Sequence, residues 1–252
     1  MSVAIPWDVD APVVNGVHLL SGPSPFEAQY GAVRAKEQRI LTDDQVRRLP
    51  DGTGLWNADE WTVRAQSAQR LVDDLAQRWS SAHILEVGCG NGWLSGLLHR
   101  AGHTVIGIDP FTAELEQAAR VFDGPLFARA DLLASPLPEQ NFHAIVFAAS
   151  IQYFPDPAAA VRRALELTTP FAGEVHVMDT VLYANAQEAA AAQERSRMYY
   201  AELGFAEMAT QYHAHQRSAF TGIGRCSVLT APSRWKRLRG DRSPFTHLVI
   251  GG

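Results

Sequence analysis

Two periods of apolar residues alternate along the chain. Residues 1–25 hold Pro, Gly and Val in no stable period and predict an extended arm. Residues 26–49 predict helix in pieces, with Tyr30, Val33, Ile40 and Val46 as anchors, and residues 50–54 a turn. From Asp59, a capping residue, to Trp79, the apolar positions Trp61, Ala65, Ala68, Leu71, Val72 and Leu75 fall on one stripe and predict an amphipathic helix. Residues 84–87 then begin a series of short apolar runs separated by helical segments. Strands are predicted at 84–87, 104–108, 125–130, 142–148 and 173–179, and helices at 92–100, 112–121, 157–167 and 185–203. The run F-H-A-I-V-F-A at 142–148 has the length and apolarity of a strand buried on both faces. Two further strands, 227–231 and 246–250, flank an Arg-rich segment at 232–242. This alternation predicts an α/β fold with a doubly wound, mostly parallel sheet.

Composition narrows the function classes. A chain of 252 residues, 46% hydrophobic, is long enough for one well-buried core with an elaboration. Its net charge of −5 gives no general affinity for nucleic acid. Trp235, Lys236, Arg237, Arg239 and Arg242 form a basic stretch that reads as a solvated loop or a phosphate contact. Cys89 and Cys226 are the only cysteines, too few for a disulfide framework or a four-thiolate zinc site. No run reaches the roughly eighteen apolar residues a membrane span needs, and the opening residues lack the pattern of a signal peptide. A cytoplasmic protein without membrane or nucleic-acid partners is the expectation.

The chemistry concentrates at two strand ends. I-L-E-V-G-C-G-N-G occupies residues 84–92 and V-I-G-I-D-P residues 105–110. Gly88, Gly90 and Gly92 permit a tight turn and a close backbone approach to a ligand. A dinucleotide fingerprint spaces its glycines G-x-G-x-x-G, and here Trp93 holds the third position. Asp109 sits at the end of the second strand, where a carboxylate can take both hydroxyls of a ribose or simply begin an Asp-Pro turn with Pro110. Glu86 is a carboxylate inside an apolar strand, which is costly to bury unpaired.

The acid-x-Gly-x-Gly-x-Gly pattern at Glu86–Gly92 resembles motif I of the class I S-adenosylmethionine-dependent methyltransferases, and the likeness extends over residues 81–252. It implies a seven-stranded sheet of order 3-2-1-4-5-7-6, closed by an antiparallel hairpin, with residues 1–80 as an N-terminal arm and helical cap. S-adenosylmethionine is the implied cofactor and S-adenosylhomocysteine its product. Carried over by position, Glu86, Gly88, Cys89, Gly90 and Gly92 face the methionyl and ribose part, while Asp109, Pro110 and Phe111 face the ribose and adenine. Asp131 and the Leu132 N–H in A-R-A-D-L-L meet the adenine edge. Ala148 and Ser150 complete the cofactor site, with Tyr30, Arg34 and Arg64 on a lid where an arginine meets the cofactor carboxylate.

After the fourth strand, A-S-I-Q replaces the Asn/Asp-Pro-Pro-aromatic tetrad common in enzymes acting on nucleobase or glutamine nitrogens, which points to the small-molecule branch. Gln152 and Tyr153 are the acceptor-side candidates. His213 and His215 are candidate bases; their spacing would place both on one face of a strand, but with no third ligand nearby no metal is expected. His176 reads as a core histidine, and Asp179 and Thr180 lie nearer the active edge. Small-molecule methyl transfer by a monomer or homodimer is the reading, with an RNA or protein methyltransferase and a NAD(P)-dependent reductase as alternatives. The reductase lacks its Tyr-x-x-x-Lys pair here, since no lysine follows Tyr199 or Tyr200.

Overall fold

The computed structural model describes residues 10–233 and 243–252, so the basic stretch at Trp235–Arg242 lies outside the described residues. In chain order the elements are β1 (Val13–Val14), β2 (Val17–Leu19), α1 (Glu27–Lys36), α2 (Asp43–Arg48), α3 (Ala58–Arg78), β3 (His83–Val87), α4 (Trp93–Arg100) and β4 (Thr104–Asp109). Then follow α5 (Thr112–Val121), β5 (Leu126–Arg129), β6 (Ala144–Ala148), α6 (Pro157–Leu167), β7 (Glu174–Met178), α7 (Ala186–Glu202), β8 (Arg225–Thr230) and β9 (His247–Gly251). They form one sheet ordered β1-β2-β5-β4-β3-β6-β7-β9-β8. The centre, from β2 to β7, is parallel, while β9 runs antiparallel to both β7 and β8.

The described sheet has nine strands where seven were expected. The extra pair lies in the arm, which is not extended throughout. Asn15 and Gly16 both take positive φ (49° and 82°), the backbone of a tight two-residue hairpin turn. β2 then lies parallel to β5, with Val17 opposite Phe127. Gly16 packs so closely on α5 that an added Cβ would meet the Ala119 Cβ at 3.0 Å.

Strands buried on both faces explain the continuous apolar runs. On one face Leu85, Ile145, Phe147, Val175 and Val177 pack with Ala160, Val161 and Ala164 of α6. On the other, Ile84, Ala144 and Val146 meet Leu71 and Leu75 of α3 and Leu94 and Leu98 of α4. The stripe on α3 is thus its sheet-facing side. Its N-terminus differs from the expectation: Asn57 precedes the helix without a side-chain cap, and Asp59 sits in the first turn. Ile40 is no anchor either; it is 66% exposed in the link between α1 and α2. Among the described residues no helix is long and apolar enough to cross a membrane.

The amino edge of the sheet carries an ionic network in which buried acids and histidines meet a partly exposed arginine. Arg78, at the end of α3, pairs with Asp74 at 3.2 Å and with Glu174 at the start of β7. Glu174 in turn meets His176 Nε2 at 2.9 Å, and His176 Nδ1 faces His247 Nε2 at 3.0 Å. Burial, then the neighbouring His176, pushes His247 down to about 3, so its ring is neutral. Asp74, Glu174 and His176 also sit close enough to bracket a cation, but the Arg78 guanidinium already supplies the positive charge. Removing it should leave Asp74 without its ion-pair partner and Glu174 with His176 alone. Arg78→Ala is therefore expected to cost about 1–3 kcal/mol, read as a lower urea midpoint, while Glu174→Gln should cost less.

Candidate functional site

At the carboxyl edge the chain turns from β3 into α4 through three left-handed glycines, Gly88, Gly90 and Gly92, with φ of 73°, 51° and 74°. The turn is pressed between two walls. A Cβ on Gly88 would stand 2.5 Å from Ser150 Cβ, and one on Gly92 would stand 2.7 Å from Ala118 Cβ. Ser150 also donates its hydroxyl hydrogen bond to the Val87 carbonyl, tying the ends of β3 and β6 together. Only glycine meets both the φ and the spacing at these positions.

Two carboxylates flank this turn. Asp109 accepts from the Gly90 N–H at 3.0 Å and the Phe111 N–H at 2.9 Å. Glu86 is 2% exposed and accepts from Ser95 Oγ at 2.5 Å. Burial pushes Glu86 up to about 8, and burial followed by the charge of Glu114 pushes Asp109 up to about 7. Cys89 is buried too, which raises its thiol well above the usual range and keeps it protonated. It packs with its sulfur where a side chain on Gly107 would fall.

A cavity of about 600 Å³ opens over these groups. Its roof comes from α1. The Tyr30 ring stacks on Phe111 with centroids 4.1 Å apart and planes 6° apart, and Arg34 pairs with Glu114 of α5 at 3.3 Å. Its far wall comes from α3, where Arg64 and Arg39 both pair with Glu60, at 2.8 and 2.9 Å. Beyond β6, Gln152 is held at both ends, donating to the Ala149 carbonyl and accepting from Thr180 Oγ1 at 2.7 Å. Tyr153 stands edge-on to Tyr30 and Tyr212, at 6.5 and 6.1 Å.

Residues 85–171 match the model of a methyltransferase domain. The ubiquinone biosynthesis O-methyltransferase of Xylella fastidiosa (strain M23) is 39% identical over 100 residues, which make up 36% of this chain and 39% of that protein. Its counterpart in Pseudomonas fluorescens (strain SBW25) is 33% identical over 95 residues, 34% of this chain and 40% of that one. The matched segment, about a third of the chain, is similar to a methyltransferase domain. The match spans about two fifths of the length of these curated relatives. A solved geranyl diphosphate C-methyltransferase from Streptomyces coelicolor A3(2) superposes with a TM-score of 0.55 at 15% identity, covering 91% of this chain and 98% of that one. At that identity the likeness carries the fold alone.

The cavity collects most of the residues singled out from sequence. Glu86, Gly88, Cys89, Gly90, Asp109, Pro110, Phe111, Asp131, Leu132, Ala148, Ser150, Gln152, Tyr153, Tyr30, Arg34 and Arg64 all line it. Gly92 does not; its missing side chain makes room for Ala118 and Phe127 rather than for a ligand. His213 and His215 do not line it either. Their segment forms no strand; the His213 N–H is donated to the Gln152 carbonyl, and the two rings stack on each other 6.1 Å apart. Burial lowers both imidazoles below their usual range. Arg34 and Arg64 face the cavity but are engaged by Glu114 and Glu60. Sequence reasoning passed over Glu60, Glu114, Met208, Tyr200 and Tyr212, which line it as well.

The raised carboxyls make stability depend on pH with a definite sign. The fold favours protonated Glu86 and Asp109, so their contribution is complete at and below the ordinary carboxylate range and is lost as pH rises through about 7 to 8. Thermal denaturation of the ligand-free protein should show the Tm of the parent falling relative to that of Glu86→Gln as pH rises from 5 to 8. An unchanged difference between the two would place the charge elsewhere.

Proposed function

We propose that this protein transfers a methyl group from S-adenosylmethionine to a small-molecule acceptor. The observation that carries the reading is the pair of buried carboxylates, Glu86 and Asp109, on a left-handed glycine turn with no lysine or arginine paired to either among the described residues. A ligand bearing positive charge answers that deficit. The donor set suits this cofactor. Glu86 is placed for an ammonium. Each Asp109 oxygen holds one backbone N–H and retains a lone pair for a ribose hydroxyl. Asp131 is oriented by the Leu133 N–H at 2.8 Å and supplies an acceptor for an adenine amino group.

S-adenosylmethionine supplies the methyl group on a sulfonium, so little covalent help is required of the protein. Its residues must hold the acceptor in line and keep water out. The Tyr30–Phe111 stack and the Arg34–Glu114 pair close the cavity over the glycine turn, and the helices of residues 27–78 serve as the cap through which the acceptor enters. Gln152, fixed at both ends, keeps the turn after β6 in shape, and Tyr153 forms the acceptor wall.

A small molecule suits the cavity better than nucleic acid. All three arginines of its lining are paired with acids, which leaves no free cation in the described lining for phosphate. A nicotinamide cofactor is disfavoured by Trp93, buried edge-on against Trp61 at 5.4 Å where a dinucleotide site has its third glycine. Both described cysteines are free thiols, in keeping with a reducing cytoplasm. Calorimetry tests the reading. S-adenosylhomocysteine should bind the parent protein, and Asp109→Ala should weaken it by about 1.5–3 kcal/mol with the fold intact. NADPH binding without any response to S-adenosylhomocysteine would overturn it.

A further inference from the structure

One carboxylate in the cavity is left over. Asp179 follows β7 and lines the cavity beside Thr180, at 7% exposure. Ser67 of α3 approaches it and favours its ionised form, yet neither carboxylate oxygen meets hydrogen-bond geometry with any described residue. Burial nonetheless raises its pKa overall. The charges that influence it, Arg64, Arg70 and Glu60, all belong to α3, whereas Asp109 feels Glu114 and Arg34 from the other side of the cavity. Asp179 therefore lies nearer to the charges of α3 than Asp109 does. Its φ of 54° is a left-handed conformation that a non-glycine residue adopts at a cost, as functional sites often require.

Arg64 does not neutralise it, because Glu60 holds that guanidinium at 2.8 Å with two hydrogen bonds. All three arginines of the lining are paired with acids of the lining. The same cavity is lined by aromatic and thioether surface from Trp61, Tyr153, Tyr200, Tyr212 and Met208. A buried carboxylate with no ion pair among the described residues, in a cavity that also carries aromatic faces, is the chemistry that receives an organic ammonium.

Resting on the methyltransferase reading, we propose that the acceptor is a small amine with an apolar or aromatic body, and that Asp179 is the residue that binds its ammonium and takes its proton. One N–H proton passes to an Asp179 oxygen. The freed nitrogen lone pair then forms the C–N bond to the methyl carbon as the C–S bond breaks, and the electron pair of that bond stays on sulfur. The product is a methylated ammonium and a neutral thioether, and the proton on Asp179 later returns to water.

Phenethylamine is a suitable probe, with 2-phenylethanol as its uncharged counterpart. Both are titrated into protein saturated with S-adenosylhomocysteine, using the parent, Asp179→Asn and Asp179→Gly. Asparagine and glycine both tolerate the left-handed backbone, so the variants should fold, as circular dichroism would check. Phenethylamine should bind the parent and bind both variants at least tenfold more weakly, while 2-phenylethanol binds all three alike. S-adenosylhomocysteine affinity should stay within twofold throughout. Equal phenethylamine binding in parent and variants, or none in the parent, overturns the proposal while leaving the cofactor reading intact. A tenfold loss of S-adenosylhomocysteine in the variants, with 5′-methylthioadenosine unaffected, overturns it too by assigning Asp179 to the amino-acid end of the cofactor. No S-adenosylhomocysteine binding by the parent removes the reading beneath it.

Discussion

At Gly88 and Gly92 the turn between β3 and α4 is held in a space too narrow for a side chain, and the site depends on that confinement. Because Gly88 sits against Ser150 and Gly92 against Ala118, the turn cannot relax outward, and its Gly90 N–H stays aimed at Asp109. That hydrogen bond fixes the carboxylate at the tip of β4. The same contact with Ser150 brings the end of β6, and with it Gln152 and Tyr153, up to the rim of the cavity. Packing density at one turn thus sets the relative positions of groups from three strands.

The two edges of the sheet treat buried acid in opposite ways. At the amino edge, Glu174 and Asp74 share the Arg78 guanidinium, and the histidines beyond are bonded in a chain. That arrangement is self-sufficient. At the carboxyl edge, Glu86, Asp109 and Asp179 are as deeply buried, but the nearby arginines are held by other acids. The difference separates a structural network from a binding site better than burial does. Unanswered charge in a cavity is tolerated where a ligand supplies the counter-charge.

The parallel core was legible in the chain because strands covered on both faces leave unbroken apolar runs, as at Ala144–Ala148. The cofactor half of the site was legible for a related reason: Gly88, Gly90 and Asp109 occupy fixed places relative to strand ends, so their spacing encodes their geometry. The acceptor half follows no such rule. Tyr200 and Met208 reach the cavity from α7 and the turn after it, and their sequence positions carry no trace of that. His213 and His215 were misplaced because alternation was taken to mean a strand, whereas backbone bonds to Gln152 and Tyr183 turn the segment aside. The pairing of Arg34 and Arg64 with Glu114 and Glu60 depends on which helices meet, which a linear pattern does not record. V-N-G-V at residues 14–17 was a readable hairpin signal, but its strands are too short to show alternation.

That hairpin also changes how the molecule presents itself to other copies. Without it β5 would offer four residues of unpaired backbone at the margin of a parallel sheet, a template for pairing with another chain. β2 covers that margin, and β1 then ends the described sheet with only two residues, Val13 and Val14, too short a ladder to recruit a neighbour. At the opposite margin the irregular register between Val228 and Thr230 interrupts β8. The protein therefore guards its sheet against polymerisation by shortening one end and kinking the other, and a deletion through residue 19 should be felt first as a loss of solubility rather than of fold.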